Sequence, residues 1–332
     1  MVNKEISGKI IFYITLVLLS LLVSFFSIDF GSSNVRFIDF ILMSNGDKRI
    51  ITLRTLHSFA IFLSGCCLSV SGFVLQRIMK NNLVDPGITG VLAGSALGVT
   101  LFSLINFNIP GMYSIIKVIF AITFGIIAGS ILLIVSLVYK DSLKVVVFGV
   151  MINSFLSGLI VLVQSLLDPY KLQQTFSFLT GGIILNSFEL ILIGYIIAIT
   201  VIIILISFSK KLDIISLGDI DAHVLGVNIR FWRSLFLILV VLLSSISVSI
   251  SGVISFVGFI IPNIINFMYH KVSWINTKNG IVISALLGSI FLTFCYVLSK
   301  VLLPLYQLPL GVITGLIGSP LFAIIIFRLS QK

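Results

Sequence analysis

The residues whose types could support chemistry are few and widely separated in this sequence. No HExxH, GxSxG or glycine-rich phosphate-binding motif occurs, and there is no Walker motif for ATP hydrolysis. The three cysteines lie inside apolar runs, without the spacing of zinc ligands or of a disulfide framework. The three histidines lie near the ends of apolar runs in unrelated positions: His57, His223 and His270. We therefore expect a chain that is not an enzyme and that holds no metal or cofactor.

Apolar composition is the strongest feature of the 332-residue chain, which is 58% hydrophobic and only 10% charged. A soluble domain carries about 25% charged residues. Runs of about twenty apolar residues recur, and each could cross a bilayer as a helix. Because the runs are continuous and do not alternate with polar residues, they favour helices over a membrane barrel. We predict an all-α integral membrane protein with about ten spans, at roughly 9–27, 55–79, 87–107, 112–139, 144–167, 188–208, 231–250, 252–270, 280–302 and 308–329.

The basic residues between these runs predict the orientation in the membrane. Two-thirds of the 21 Lys and Arg residues fall on the same side of the membrane as the N-terminus. An excess of such residues marks the cytoplasmic side. Both termini are therefore expected in the cytoplasm. The formal charge of +10 is dispersed along the chain, which indicates contact with membrane lipid headgroups and no nucleic-acid partner.

The longest cytoplasmic connection has the sequence SKKLDIISLGDIDAHVLGVNIRFWR, at 209–233. Apolar residues recur there at helical spacing between charges, and Asp219 and Asp221 suit the start of a short helix. We predict one or two short helices. A helix on anionic lipid would not favour two neighbouring Asp residues, so this segment is expected to meet a protein partner.

A polar run separates the second and third spans in the stretch QRIMKNNLVDPGITGVLAGSALG, at 76–98. Pro86 suits the first turn of the helix that follows. The four-residue spacing predicts that Gly90, Gly94 and Gly98 share one helix face, where small residues let membrane helices approach closely. Glycine spacing of this kind indicates packing and does not by itself name a function.

Several stretches together resemble the FecCD-like permease family of ABC importers for iron-siderophores, haem and vitamin B12. The resemblance lies in SGVISFVGFIIPNIINF (251–267), QLPLGVITGLIGSPLFAIII (307–326), the stretch at 71–98, LGDIDAHVLGVNI (217–229) and VVFGVMINSFLSGL (146–159). These stretches follow the order of the family and cover most of the chain. The resemblance implies a type II importer permease fold of ten helices.

The resemblance also implies roles for particular residues. By resemblance, a substrate-binding protein would dock at the outer face on Arg54, His57 and Lys300, where the family carries basic residues. Contact with an ATPase falls on segment 212–230, at Leu217, Gly218, Ala222, Leu225 and Gly226. Helix packing and the translocation path fall on Gln76, Asn81, Pro86, Gly90, Gly94, Gly258, Pro262, Pro309 and Gly311. From the residues alone, complementary charge could steer docking, but Arg54 and Lys300 could also be basic side chains reaching the membrane interface.

Some positions depart from the family pattern. Asn263 and Asn266 stand where the family has His and Arg, and Tyr296 stands where it has Asp. Several positions that carry charge in the family are therefore neutral here, which suggests a different partner subunit.

The resulting hypothesis is a single transmembrane permease domain, 1–332, in the cytoplasmic membrane of a bacterium. Its expected partners are ATPase subunits, an extracytoplasmic substrate-binding protein (a lipoprotein in a Gram-positive host) and a second permease chain, as a homodimer or heterodimer. The expected substrate is an iron-siderophore, with haem and vitamin B12 as alternatives. An ion-coupled carrier or a channel is the competing class, although such carriers often bury carboxylates in their spans and this sequence has almost none there. A structural membrane subunit is a third possibility.

Overall fold

A computed structural model describes residues 2–29, 48–105, 112–138, 142–182, 188–269, 276–302 and 308–330 of the chain. Within these ranges it contains thirteen α-helices, which we number in chain order. They are α1 Val2–Asp29, α2 Lys48–Met79, α3 Val91–Leu104, α4 Met112–Val138, α5 Ser142–Ser165, α6 Pro169–Leu179, α7 Phe188–Ser207, α8 Ser209–Leu217, α9 Asp219–Val224, α10 Ile229–Ser251, α11 Val257–Tyr269, α12 Thr277–Leu302 and α13 Leu310–Ser330.

Ten of these helices account for the predicted spans. Seven are long and apolar enough to cross a membrane, namely α1, α2, α4, α5, α7, α10 and α12. Three shorter apolar helices, α3, α11 and α13, complete the set. The prediction of an all-α membrane protein with about ten spans is confirmed. The predicted cytoplasmic segment also forms two short helices, α8 and α9, as expected.

The bundle is organised around α2, which packs against α10, α11 and α12. Most of α2 and α10 is buried, whereas α5 leaves most of its side chains exposed. Small hydroxyl side chains line the contact surfaces of α10, and Ser245 lies 2.8 Å from Ser95 of α3, Oγ to Oγ. Small and weakly polar residues are typical where membrane helices approach each other closely.

Two predicted spans begin later than the apolar pattern indicated. The third starts at Val91, because residues 86–90 form a turn that ends at Gly90 with φ 83°. Pro86 therefore does not occupy the first turn of α3. The eighth starts at Val257, and residues 252–256 are not helical. Gly252 and Phe256 have φ values of 73° and 69°, a region that right-handed helices do not use.

The connection at 168–187, between the fifth and sixth predicted spans, contains the helix α6, which the apolar pattern did not predict. Pro169 occupies the first helical position of α6, and the Asp168 carboxylate accepts a hydrogen bond from the backbone N–H of Lys171, 2.9 Å away. Proline and a capping Asp are both favoured at a helix start. The Asp-Pro pair therefore begins a helix here.

Backbone from three parts of the chain, at helix ends and in the non-helical residues beside them, meets at the end of α6. The Val253 N–H donates to the Phe178 carbonyl (3.2 Å), the Leu310 N–H to Gly181 (3.2 Å) and the Gly311 N–H to Thr180 (3.0 Å). Irregular backbone in a membrane protein needs such partners, because lipid offers none. These bonds join α6, the 252–256 segment and the start of α13.

Candidate functional site

The cytoplasmic helices α8 and α9 are fastened to the bundle by two acidic residues. One carboxylate oxygen of Asp219, at the start of α9, lies 2.6 Å from Lys80 Nζ and 2.9 Å from Arg233 Nη2. Asp213 in α8 accepts a hydrogen bond from the Thr277 hydroxyl at the start of α12. The segment is therefore linked to the turn after α2, to α10 and to α12.

Opposing effects act on the pKa of Asp219. Partial burial would raise this pKa, but the hydrogen bond from Lys80 and the charges of Arg233 and Lys80 outweigh that effect and hold it below the ordinary value. Asp219 is thus ionised at neutral pH and retains both cations.

The solvent-exposed surface of α9 is apolar although charged residues surround it. Ile220 and Val224 are 82% and 80% exposed, and Leu217 and Leu225 are also exposed. Exposed apolar side chains elsewhere in a membrane protein face lipid, but α9 lies beside Lys80 and Arg233 at the cytoplasmic end of the bundle. An exposed apolar surface with a polar rim is typical of a protein contact.

The predicted ATPase-contact residues do not share one environment. Leu217, the last residue of α8, and Leu225, the residue after α9, extend the exposed apolar surface of α9, whereas Ala222 is fully buried in this chain's own packing. Gly218 separates α8 from α9, and Gly226 follows α9 with φ 70°. A Cβ added at Gly226 would meet no atom within 4 Å, so the space beside it is open.

Amide side chains connect the turn after α2 to α11. Asn266 Nδ2 lies 3.2 Å from Gln76 Oε1 and 3.2 Å from Asn82 Oδ1. Asn263 Nδ2 donates to the Asn82 carbonyl at 3.0 Å, and Gln76 Nε2 donates to the Val84 carbonyl at 3.3 Å. We call Gln76, Asn82, Asn263 and Asn266 the amide cluster. It brings together two regions that the sequence separates by about 180 residues.

The turn at 80–90 is shaped by its own polar side chains. Asn81 Oδ1 accepts from the Leu83 N–H, and Asp85 Oδ2 accepts from the Gly87 N–H, each at 2.9 Å. The Asp85 side chain is buried. Burial raises its pKa to about 6 even though the Gly87 hydrogen bond acts in the opposite direction. Pro86 follows directly, and its carbonyl accepts from the Thr89 hydroxyl at 3.1 Å.

The predicted glycine face of α3 is only partly correct. A Cβ added at Gly94 would lie 2.6 Å from Ala128 Cβ of α4, and Gly98 approaches the Phe120 carbonyl of the same helix. Gly90 precedes the helix in a left-handed conformation and approaches Ile152 of α5 instead. The prediction that Gly90 shares the face of the other two is wrong, because α3 begins only at Val91.

The remaining predicted path residues lie in two places. Gly258 lies at the start of α11 against α2, and Pro262 follows four residues later. Proline there has no N–H to donate to the Gly258 carbonyl, which weakens the first turn of this helix. Pro309 and Gly311 lie at the outer junction with α6, where a Cβ added at Gly311 would lie 2.6 Å from the Thr180 carbonyl oxygen.

The outer basic residues are placed together but are largely buried. Arg54 and Lys300 are each 8% exposed. Arg54 Nη1 lies 3.3 Å from the Ile28 carbonyl and Lys300 Nζ lies 3.1 Å from the Ser27 carbonyl, both in the last turn of α1. Cations at a helix C-terminus offset the partial negative charge of its free carbonyls. His57 lies one turn after Arg54 in α2, and its Nε2 is buried without a hydrogen-bond partner among the described residues.

Lys117 has a comparable position that sequence reasoning missed. It is buried in α4, donates to the Ser249 carbonyl in the last turn of α10 at 3.1 Å, and lies 5.0 Å above the Phe178 ring of α6. The ion pairs of Asp219 were missed for a related reason. A helix-start signal was visible in the sequence at Asp219, but Lys80 is 139 residues away and nothing local connects the two.

Comparison with solved structures supports the class of protein that this architecture defines. The chain superposes on a structure described as an inward-facing metal-chelate type ABC transporter with a TM-score of 0.79 and 26% identity, covering 97% of this chain and 99% of the other. The ten apolar helices are those of the permease subunit of an ABC importer. The protein is accordingly a multi-pass protein of the cytoplasmic membrane and not itself an enzyme.

The model of the FecCD transport family matches residues 13–328, so the chain belongs to that family. The probable iron chelatin transport system permease protein of Helicobacter pylori strain 26695 is 32% identical over 281 residues, which are 84% of this chain and 82% of the relative. The hemin transport system permease protein HmuU of Yersinia pestis is 27% identical, over 81% of this chain and 80% of the relative. The molybdate import system permease protein MolB of Haemophilus influenzae is 30% identical, over 80% of this chain and 77% of the relative. Membership implies ATPase and substrate-binding partners.

Proposed function

We propose that this chain carries an iron-siderophore complex across the cytoplasmic membrane. The observation that supports this substrate class is the 32% identity to the iron chelatin permease over most of both chains. Haem is the second candidate, because the hemin permease also matches over most of its length. Vitamin B12 stays open as a third chelate. An ion-coupled carrier no longer competes, because the family match defines an ABC importer permease.

We propose further that two such permease chains, identical or related, enclose the path. Two ATPase subunits contact the exposed apolar surface of α9, where Ile220 and Val224 would enter a groove of the partner. Burial of two such side chains contributes about 1.5–3 kcal/mol each relative to leaving them in water. A substrate-binding protein delivers the chelate to the outer face, as a lipoprotein in a Gram-positive host.

Reconstitution with the cognate ATPase and binding protein tests the substrate. Proteoliposomes containing ATP would receive the binding protein with ⁵⁵Fe-labelled hydroxamate, catecholate or carboxylate siderophores, hemin, cobalamin or molybdate. We expect ATP-dependent accumulation of at least one ferric siderophore. A hydrolysis-deficient ATPase subunit is the control. Accumulation of only hemin, cobalamin or molybdate would overturn the siderophore assignment, but the conclusion that the complex is an ABC importer would stand.

A further inference from the structure

Asp219 lies where the surface for a partner protein joins this chain's own bundle. Its neighbour Ile220 belongs to the exposed apolar surface of α9, whereas the Asp219 carboxylate points to Lys80 and Arg233. This carboxylate is therefore the route to the turn after α2 for a force applied to α9, and it lies within one residue of the contact surface.

Lys80 occupies a constrained position at the end of α2. It is a non-glycine residue with φ 50°, a left-handed conformation that costs about 1–2 kcal/mol for an L-residue. Such a conformation persists only where its surroundings hold it. Backbone hydrogen bonds from Lys80 to the Arg77 carbonyl (3.4 Å) and from Asn81 to the Gln76 carbonyl (3.1 Å) close the end of α2, and the ion pair with Asp219 holds the side chain.

The turn that Lys80 begins continues directly into the amide cluster. Asn82, two residues after Lys80, accepts from Asn263 and Asn266 of α11. At its other end α11 begins after the non-helical segment 252–256, which is bonded through Val253 to Phe178 at the end of α6. Polar contacts and the backbone segments between them thus connect α9 through the 80–90 turn to α11, and through the start of α11 to the end of α6.

Arg233 gives Asp219 a second and more rigid attachment. Its side chain is largely buried on α10, and its Nε has no hydrogen-bond partner among the described residues. The guanidinium therefore depends on Asp219 for charge compensation. An unpaired buried charge is costly in free energy. Separation of Asp219 from both cations would therefore destabilise the fold.

We propose that Asp219 is a positioning residue for the transport cycle, which transmits the movement of α9 through Lys80 to the 80–90 turn and α11. The inference rests on the proposed ATP-driven function. It assigns the link between the ATPase contact and the path to one carboxylate and one ammonium group. Without this link, α9 moves with the ATPase while α11 does not follow, and ATP is hydrolysed without transport.

The test measures substrate molecules transported per ATP hydrolysed in the full complex, with the chelate that the parent complex accumulates. The variants are Asp219→Asn, Lys80→Met, the double variant, the conservative Asp219→Glu, and Asp221→Asn as a matched control. Asp221 lies in the same helical turn and has no ion-pair partner among the described residues. Copurification of the ATPase subunits shows for each variant whether the complex assembles.

We expect Asp219→Asn and Lys80→Met each to lower the transport-to-ATP ratio at least about fivefold in an assembled complex, with the double variant no worse than Asp219→Asn. Asp219→Glu should restore most of the ratio, and Asp221→Asn should match the parent. A parental ratio in Asp219→Asn would overturn the inference. So would multiplied losses in the double variant, or loss of the ATPase subunits from Asp219→Asn, which would indicate a docking role. Absence of transport by the parent complex would instead count against the proposed function.

Discussion

Gly72 of α2 and Gly258 of α11 meet backbone to backbone. A Cβ added at Gly72 would overlap the carbonyl group of Gly258. A Cβ added at Gly258 would lie 2.9 Å from the Leu68 carbonyl oxygen and still closer to the Asp85 carboxylate. The carbonyl groups of Gly258 and Leu68 belong to the helix backbone, so they cannot move aside as the end of a flexible side chain could. This contact allows α11 to lie directly on α2, the two helices between which Gln76 and Asn266 are hydrogen-bonded.

Gly72→Ala should therefore destabilise the bundle. Overpacking of a close contact costs typically about 1–3 kcal/mol, so we expect a lower apparent melting temperature in detergent. Gly158→Ala in α5 is the matched control, because a Cβ there would meet nothing within 4 Å and alanine favours a helix by about 0.5–1 kcal/mol over glycine. Equal melting temperatures for the two variants would contradict the proposed packing role of Gly72.

Gly226→Trp should abolish transport and uncouple the ATPase while the protein still inserts into the membrane. The space beside Gly226 is open in this chain and would be filled by the partner. Because Gly226 has φ 70°, any substitution also strains the backbone. Gly226→Asn carries the same strain with little bulk, since Asn tolerates the left-handed region, and it should retain most transport. Normal transport by the Trp variant would contradict the assignment of segment 212–230 as the element that couples the ATPase to transport.

Lys300→Met should lower thermal stability, because it removes the ammonium group that α12 places against the carbonyl of Ser27 in the last turn of α1. A cation in a partly buried site of this kind contributes up to about 2 kcal/mol. The expected result is a lower apparent melting temperature in detergent than for the parent. An unchanged value would mean that the contact with the Ser27 carbonyl contributes little.

The docking role of Arg54 and Lys300 stays a separate prediction. Replacing both with Glu should slow association with the binding protein, and the effect should shrink as salt rises, because charges are screened over about 8 Å at physiological ionic strength. The neutral pair Arg54→Met with Lys300→Met separates charge reversal from misfolding. Lower stability with parental association rates at low salt would leave only the helix-capping role.

Asp85→Asn should remove a pH-dependent penalty on stability. The pKa of Asp85 is about 6 in the fold, above its ordinary value of 3.8, so the folded protein binds this proton more tightly than the unfolded chain. Stability from this group is then highest below about pH 4, falls as pH rises to about 6, and stays low above it. Asn does not titrate and can still accept the hydrogen bond from Gly87. The free energy of unfolding of Asp85→Asn relative to the parent should therefore rise with pH, by roughly 3 kcal/mol at about 1.36 kcal/mol per pKa unit.

Melting temperatures of the parent and Asp85→Asn at about pH 4.5 and pH 7.5 check this expectation. We expect the two proteins to differ more at the higher pH. A difference of the same size at both values would mean that Asp85 does not titrate in this range.

The membrane class, the ten spans and the two cytoplasmic helices were determined by the sequence itself. Hydrophobic run length is a local property, because each span must satisfy its own backbone hydrogen bonds in lipid. The start of α9 at Asp219 was predictable for the same reason, since a carboxylate at a helix start interacts with that helix alone. The late starts of α3 and α11 were not predictable, because both depend on left-handed residues at the ends of apolar runs.

Only the tertiary structure decided which of the distant polar residues meet. Asp219 pairs with Lys80, Asn266 with Gln76, and Lys300 with the end of α1, across separations of 139, 190 and 273 residues. Local periodicity contains no information about such pairs. They form because close helix contacts exclude water, so each buried polar group must find a partner on whichever helix the packing places beside it.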